Sequence, residues 1–235
     1  MATRSEEISE IVTRAILDRR LWPGCKLSEQ SLANLFGTSR AVVRQAIIRL
    51  TDDGLVTIER NRGAFISRPS YREAVEIYDA LTILEQGVAE QLSGRLGPHE
   101  WSGLRKHIEM QHKAVELKDD ALSDQLGCGF HEVFVAPLRN SVVQSIHAQL
   151  VRRTALLRTL VDSRFDYRGL LHDHSVLVDL LEADDIEQAK KLIDTHHRNV
   201  VRGFILDETI KPEMNAQDAL APYLKEEAKS FSKAS

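Results

Sequence analysis

The chain has 235 residues, 43% of them hydrophobic and 28% charged, with 31 basic and 35 acidic side chains and a formal net charge of -4. That apolar fraction suffices for one or two packed cores and excludes a disordered or fibrous chain. No apolar run approaches the roughly 18 to 20 residues of a membrane span, and the opening MATRSEEISEIV places acids where a signal peptide is apolar. A cytoplasmic protein with no membrane partner is therefore expected.

Charge divides the sequence. Residues 1–68 carry 11 basic and 8 acidic side chains, the remainder 20 and 27, and all nine histidines follow residue 98. Two domains are expected: 1–68, able to face phosphate; a linker at 69–72; a helical region at 73–210; and a loosely ordered tail at 211–235. Cys25 and Cys128 stand far apart with no CxxC pair. That fits a reducing compartment and excludes thiolate zinc sites.

In chain order, Ile8, Ile11, Val12, Ala15 and Ile16 recur at helical spacing until Trp22-Pro23-Gly24. Ser28 caps a short helix containing Leu32, Ala33 and Leu35, which Gly37 breaks. Ser39 caps a third, from about Arg40 to Asp52, ended by Gly54. Two helices joined by a short glycine turn form a helix-turn-helix. LVTIE, RNRG and AFIS then read as strand, turn and strand.

On the third helix Val43, Ala46, Ile47 and Leu50 form the inward face, which leaves Arg40 and Arg44 outward and one turn apart. Guanidinium pairs at that spacing suit the major groove, where they grip guanine or clamp a phosphate. Arg49 is a phosphate contact or plain surface. Arg60 and Arg62 at the hairpin tip reach the backbone or minor groove, and Gly63 supplies the freedom the turn needs. Exposed arginines alone are ordinary solvated surface. Joined to the preceding helix, the charge asymmetry and the basic hairpin, they point to duplex DNA. Ile48 faces outward with no role inside this domain.

Beyond Pro69-Ser70 the periodicity predicts helices at about 71–95, 98–117, 119–136, 140–162, 167–183 and 185–206 and no strand, hence an antiparallel bundle. His131 stands in GCGFHEVF; His174 shares a stripe with Leu177, Val178 and Leu181; His196 shares one with Ala189, Leu192, Ile193 and Val200. A single such histidine is usually a satisfied core residue. Inward imidazoles from separate helices build metal sites, and neutral imidazole suits zinc or nickel. His172 and His197 flank this set and point elsewhere. Arg153 falls in a stripe of Val143, Ile146, Leu150, Leu157 and Leu160, where a buried guanidinium demands an anion. That anion is a ligand or an internal acid such as Glu85. Arg152 and Arg158 read as surface. No Walker A loop, GxGxxG, GxSxG or HExxH occurs, so the histidines read as sensing rather than catalysis.

The segment PGCKLSEQSLANLFGTSRAVVRQAIIRLTDDGLVTIERNRGAFIS closely resembles the winged-helix domain of GntR-type bacterial regulators, and the helices beyond the linker resemble the FadR-type effector domain, FCD. The resemblance covers about residues 5–206. It implies a mainly α fold: a winged helix-turn-helix with a small β-hairpin, then an all-α FCD bundle. It implies a homodimer on an inverted-repeat operator, with Ser39, Arg40 and Arg44 as DNA contacts and Gly63 at the wing. The FCD metal pattern is a carboxylate, a histidine four residues later, and two more histidines 22 residues apart. His131, His174 and His196 match; the carboxylate position is Gly127, with Asp124 a turn further back. The metal is then held by three imidazoles plus water or effector, or is weak or lost. The family's effector arginine, four residues before Glu85, is here Leu81, so Arg153 takes that role. The expected function is a repressor whose operator binding responds to a small organic acid at Arg153, His131, His174 and His196, beside a divalent transition metal, zinc ahead of nickel. The alternatives are a metal-dependent enzyme with the winged helix as a docking module, and a regulator whose metal is purely structural.

Overall fold

The computed structural model describes residues 3–158, 167–203 and 215–233, which form two compact units: 3–69 with 155–158 and 215–233, and 70–154 with 167–203. The fold is mostly helical with one small sheet, as the sequence predicts.

In the first unit α1 (Arg4–Leu17) starts at a reciprocal cap between Thr3 and Glu6. Helix α2 (Glu29–Phe36) is capped by Ser28 and closed by Gly37 in the left-handed region, at φ 59°. Ser39 caps α3 (Arg40–Asp52). Strands β2 (Val56–Glu59) and β3 (Gly63–Ile66) form the antiparallel wing, with Glu59 opposite Gly63. A two-residue strand, β1 (Lys26–Leu27), pairs with the other edge of β3. Ile8, Ile16, Leu32, Phe36, Ile47 and Leu50 make the core.

The expected loose tail is corrected over its described part. Ala216–Lys233 form α10, and Ala216, Ala219, Leu220 and Tyr223 are buried in the same core as α1 and α2. Those four positions follow the i, i+3, i+4, i+7 spacing of a helix face. The internal Pro222 and the charged residues that follow obscure the stripe. Side-chain bonds fasten the helix: Gln217 donates to the Ser31 carbonyl at 3.1 Å and the Tyr223 hydroxyl to Asp18 at 2.5 Å. The Arg14 guanidinium lies 4.7 Å from the centre of the Tyr223 ring.

The second unit consists of α4 (Tyr71–Leu92), α5 (Pro98–Glu116), α6 (Asp120–Val135), a 3-10 turn at Ala136–Leu138, most of α7 (Ser141–Arg158), α8 (Tyr167–Glu182) and α9 (Ile186–Arg202). The described residues of this unit hold no strand. The expected extensions to 162 and 206 fall on residues outside the described set. Helix α9 packs against both α4 and α8, and α5 against α6 and α8. Phe130 and Phe134 on α6 are fully buried and stacked, ring centres 6.3 Å apart. Each contributes on the order of 2–3 kcal/mol of hydrophobic burial.

Candidate functional site

Two constellations carry chemistry, one in each unit. In the first, Arg40 and Arg44 project from the start of α3 with side chains 59% exposed. Both reach Glu29 at the start of α2. Arg44 meets it through two bonds of 2.8 Å and Arg40 through one of 3.2 Å. The Arg44 hydrogen bond, with help from Arg40, outweighs partial burial and holds the Glu29 carboxyl at about 2. The two guanidinium groups are thus oriented by one carboxylate and still open to solvent. Ser39 is spent locally, accepting the Val42 N–H as the cap.

The other basic residues of this face follow the same pattern. Arg49 bonds Glu6 at 2.7 Å and is half exposed. Arg62 pairs with Glu59 and lies 5.3 Å from the Phe65 ring centre, while Arg60 is exposed. At the wing tip Asn61 has φ 62° and Gly63 φ 104°, which a larger residue at 63 adopts only with strain. A groove of about 670 Å³ runs between α3 and the wing, lined by Lys26, Gln30, Arg40, Arg44, Ile48 and Ile58 among others. Ile48, which the sequence left without a role, is an apolar part of that groove, 48% exposed.

The second constellation surrounds Glu85 of α4, a carboxylate only 1% exposed. His131 Nδ1 donates to it at 2.9 Å and His147 Nε2 at 2.9 Å, while His197 Nε2 stands 3.5 Å away. Burial alone would raise this carboxyl. The positive charge of His131 and the hydrogen bonds from His131 and His147 outweigh it and hold Glu85 well below the usual carboxylate range. Burial likewise opposes the charge on His131, but Glu85 prevails and lifts His131 above its ordinary value. Burial favours the neutral form of three further imidazoles: His174 is pushed well down, His196 down, and His197 down to about 3.

His131, His174 and His196 come together as the sequence suggests, with ring centres 4.8 to 5.6 Å apart. His174 Nδ1 meets Gln111 Oε1 at 3.2 Å and His196 Nδ1 meets Asp173 at 3.0 Å. Each of the three rings thus spends Nδ1 on an oxygen of a neighbouring residue. That is how metal-ligating histidines are oriented, with Nε2 left to the ion. The cavity at their centre, lined by Glu85, Asp173, Leu177, Leu192 and the three histidines, measures about 10 Å³, room for one ion or water. The Nε2 atom of His174 is buried with no hydrogen-bond partner. An orphaned lone pair, neutral imidazoles and an ion-sized cavity together fit a divalent transition metal.

Three expectations are corrected here. His197 does not point elsewhere; it is 2% exposed and belongs to the cluster. The buried arc of α9 runs through Ala189, Ile193, His196, His197, Val200 and Val201, wide because two helices pack on it. Within the second unit the buried face of α7 is His147, Val151 and Thr154, one residue out of phase with the stripe that includes Arg153; Ile146 is 50% exposed. Arg153 is therefore only half-buried and does not line the cavity, and Glu85 serves histidines rather than Arg153. His147 was missed because Glu85 draws its N–H inward. Glu85 itself was detectable as an acid at the inward spacing of Ile77, Leu81, Val88 and Ala89. The Asp124 side chain lies outside the described set, as does that of Arg158, and His172 is exposed.

Comparison with known proteins assigns both units. The model of bacterial regulatory proteins of the gntR family matches residues 4–66, and that of the FCD domain matches residues 76–199. The chain belongs to the GntR family of bacterial regulators. This GntR protein is 29% identical over 206 residues to the gluconate operon transcriptional repressor of Bacillus licheniformis, spanning 83% of this chain and 82% of that one. It is 26% identical over 129 residues, 55% and 57% of the two chains, to the transcriptional repressor RspR of Escherichia coli. Among solved structures, a GntR regulator from Rhodococcus sp. RHA1 superposes with a TM-score of 0.77 at 22% identity, covering 86% of this chain and 97% of that one. E. coli McbR/YncC gives 0.75 at 18%, with the same coverage. These two structures establish the fold. The protein is a DNA-binding transcriptional regulator with an FCD domain. The family and the relatives are regulators, so the enzyme alternative loses its support.

Proposed function

We propose that the chain is a cytoplasmic, homodimeric repressor that reads an inverted-repeat operator and whose hold on DNA is set by a metal ion and a small organic acid at the histidine cluster. Arg40 and Arg44 read base edges from the major groove, with Ser39 fixing the start of their helix. Arg49, Arg60 and Arg62 grip phosphate, and Gly63 shapes the wing tip that carries the last two. The outward pairing of Arg40 and Arg44 on Glu29 supports this division, because oriented guanidinium groups suit bidentate base contacts.

The observation that carries the sensing half is the set of imidazoles with Nδ1 committed and Nε2 turned to an ion-sized cavity. His131, His174 and His196 hold the ion, zinc ahead of nickel for an all-imidazole set. A bound divalent ion supplies the positive charge that makes an organic carboxylate a ligand. The chain contributes the rest: Glu85, Gln111 and Asp173 aim the rings, and Leu177, Leu192 and Ile193 exclude water. A cavity of about 10 Å³ admits an ion but no acid. An acid that binds only a widened cavity shifts the population toward that shape, which is how occupancy reaches the DNA-reading heads. The relative that represses a gluconate operon makes sugar acids the first class to try.

The test is metal analysis of the purified protein followed by operator titrations, metal-free, zinc-loaded, and zinc-loaded with gluconate or related hydroxy acids. Stoichiometric metal and acid-dependent release of operator are expected. Absence of metal even after zinc addition overturns the metal, and release by no acid leaves the closed cavity with a purely structural ion.

A further inference from the structure

His197 is a buried imidazole of the cluster that the three-histidine site leaves unused. We infer that the metal site is built from four imidazoles, with His197 of α9 as a ligand in its own right. This inference rests on the proposal that the cluster holds a metal.

Thr82 Oγ1 donates to the Tyr78 carbonyl at 2.8 Å, so its contact of 2.8 Å with His197 Nδ1 requires that nitrogen to be the donor. The proton on Nδ1 leaves a lone pair on Nε2. That atom is buried and has no hydrogen-bond partner, like Nε2 of His174. The remaining rings obey the same rule. His131 and His196 donate from Nδ1 to Glu85 and Asp173, and His174 donates to the oxygen of Gln111, whose amide nitrogen is bound to the Leu126 carbonyl. Four neighbouring rings thus carry Nδ1–H and present Nε2 as a base.

Nε2 of His197 faces Glu85. Glu85 Oε2 stands 3.5 Å away, so a lone pair and a carboxylate confront each other in a dry interior. Two acceptors at that separation repel unless a cation lies near both. A purely structural histidine would have its proton on the other nitrogen and bond Glu85 directly, as His147 does at 2.9 Å.

Ring nitrogens of His131, His196 and His197 all lie within 4.8 Å of one another. The ring centres of His197 lie 5.5 Å from those of His131 and of His196. Imidazoles sharing a tetrahedral ion at the usual metal–nitrogen distance have centres about 5 Å apart. One turn before His131 stands Gly127, a position that offers no carboxylate, and His197 supplies the fourth donor instead.

The test uses the full-length protein loaded with an NMR-active cadmium isotope and labelled with nitrogen-15 in histidine. Metal–nitrogen couplings to four Nε2 atoms are expected; three couplings, with His197 silent, overturn the inference while leaving the metal proposal standing, and no cadmium binding defeats both. Cobalt titration of His197→Gln provides the second readout. Affinity should fall at least ten- to a hundred-fold, roughly the scale of losing even an outer-sphere partner, and the visible cobalt bands should change. Unchanged affinity and bands overturn the inference. Should His197→Gln fail to fold, Thr82→Val keeps the ring and frees its tautomer. About ten-fold weaker cobalt binding is then expected, and no change counts against the assignment.

Discussion

Glu29 and Glu85 are the same device in two settings. Each is a lone carboxylate that gathers several basic side chains, two arginines at Glu29 and a ring of histidines at Glu85. Glu29 lies at the surface, where water and salt screen the attraction. Glu85 lies in the interior, where the attraction is strong and every unpaired donor is costly. The surface version orients charges for a partner outside the protein. The buried version aligns a cluster of imidazoles inside the bundle.

The largest expected effect comes from breaking the buried version. Glu85→Ala strands the N–H donors of His131 and His147 and should cost about 3–5 kcal/mol of stability, read by chemical denaturation. A loss below 1 kcal/mol would show that water reaches Glu85 freely. Next is the reading face. Arg44→Ala should weaken operator binding by about 1–3 kcal/mol, the worth of a bidentate base contact, with little loss on random DNA. Arg62→Ala should weaken both alike and reduce the salt dependence by about one phosphate contact. Equal losses from both variants on both DNAs would refute the division of roles.

A pH titration of metal affinity comes third. Protons and metal compete for Nε2. His131 is held above its ordinary value, so its proton begins to displace metal as pH falls toward and through 6.5, while the lowered values of His174, His196 and His197 keep those rings available. A single-proton loss of affinity on acidification is expected, and a flat profile from pH 8 to 5 would contradict it.

The smallest effect belongs to Glu29→Gln. Stability should change by less than about 1 kcal/mol, as for exposed pairs. The carboxyl is depressed in the folded state from 4.5 to about 2, so its contribution is complete above 4.5 and disappears as pH falls toward 2. Wild type and variant should therefore converge in acid. Freed arginines should also raise affinity for random DNA and lower the operator preference.

The winged helix was legible because its signals are local. The caps Ser28 and Ser39, the turn glycines 37 and 63, and the inward face of α3 each lie within a few residues of the element they define. β1 was not, being two residues long and defined only by its partner β3. In the bundle, His174 and His196 could be read because each stands on a clear apolar stripe, and His131 from its GCGFHEVF segment. His197 and His147 could not. The first depends on α9 being covered from two sides, and the second on a buried acid that rephases α7. Both facts belong to tertiary packing rather than to helical period.

Helix α10 has one more consequence. The core that the ribosome begins with Ile8 and Leu32 is completed by Leu220 and Tyr223, more than 180 residues later in the chain. The reading head therefore reaches its final packing only after the whole helical bundle between them has been synthesised. A fragment ending at the linker would leave Leu32 and its neighbours uncovered, so the smallest faithful piece of this head has to carry α10 as well.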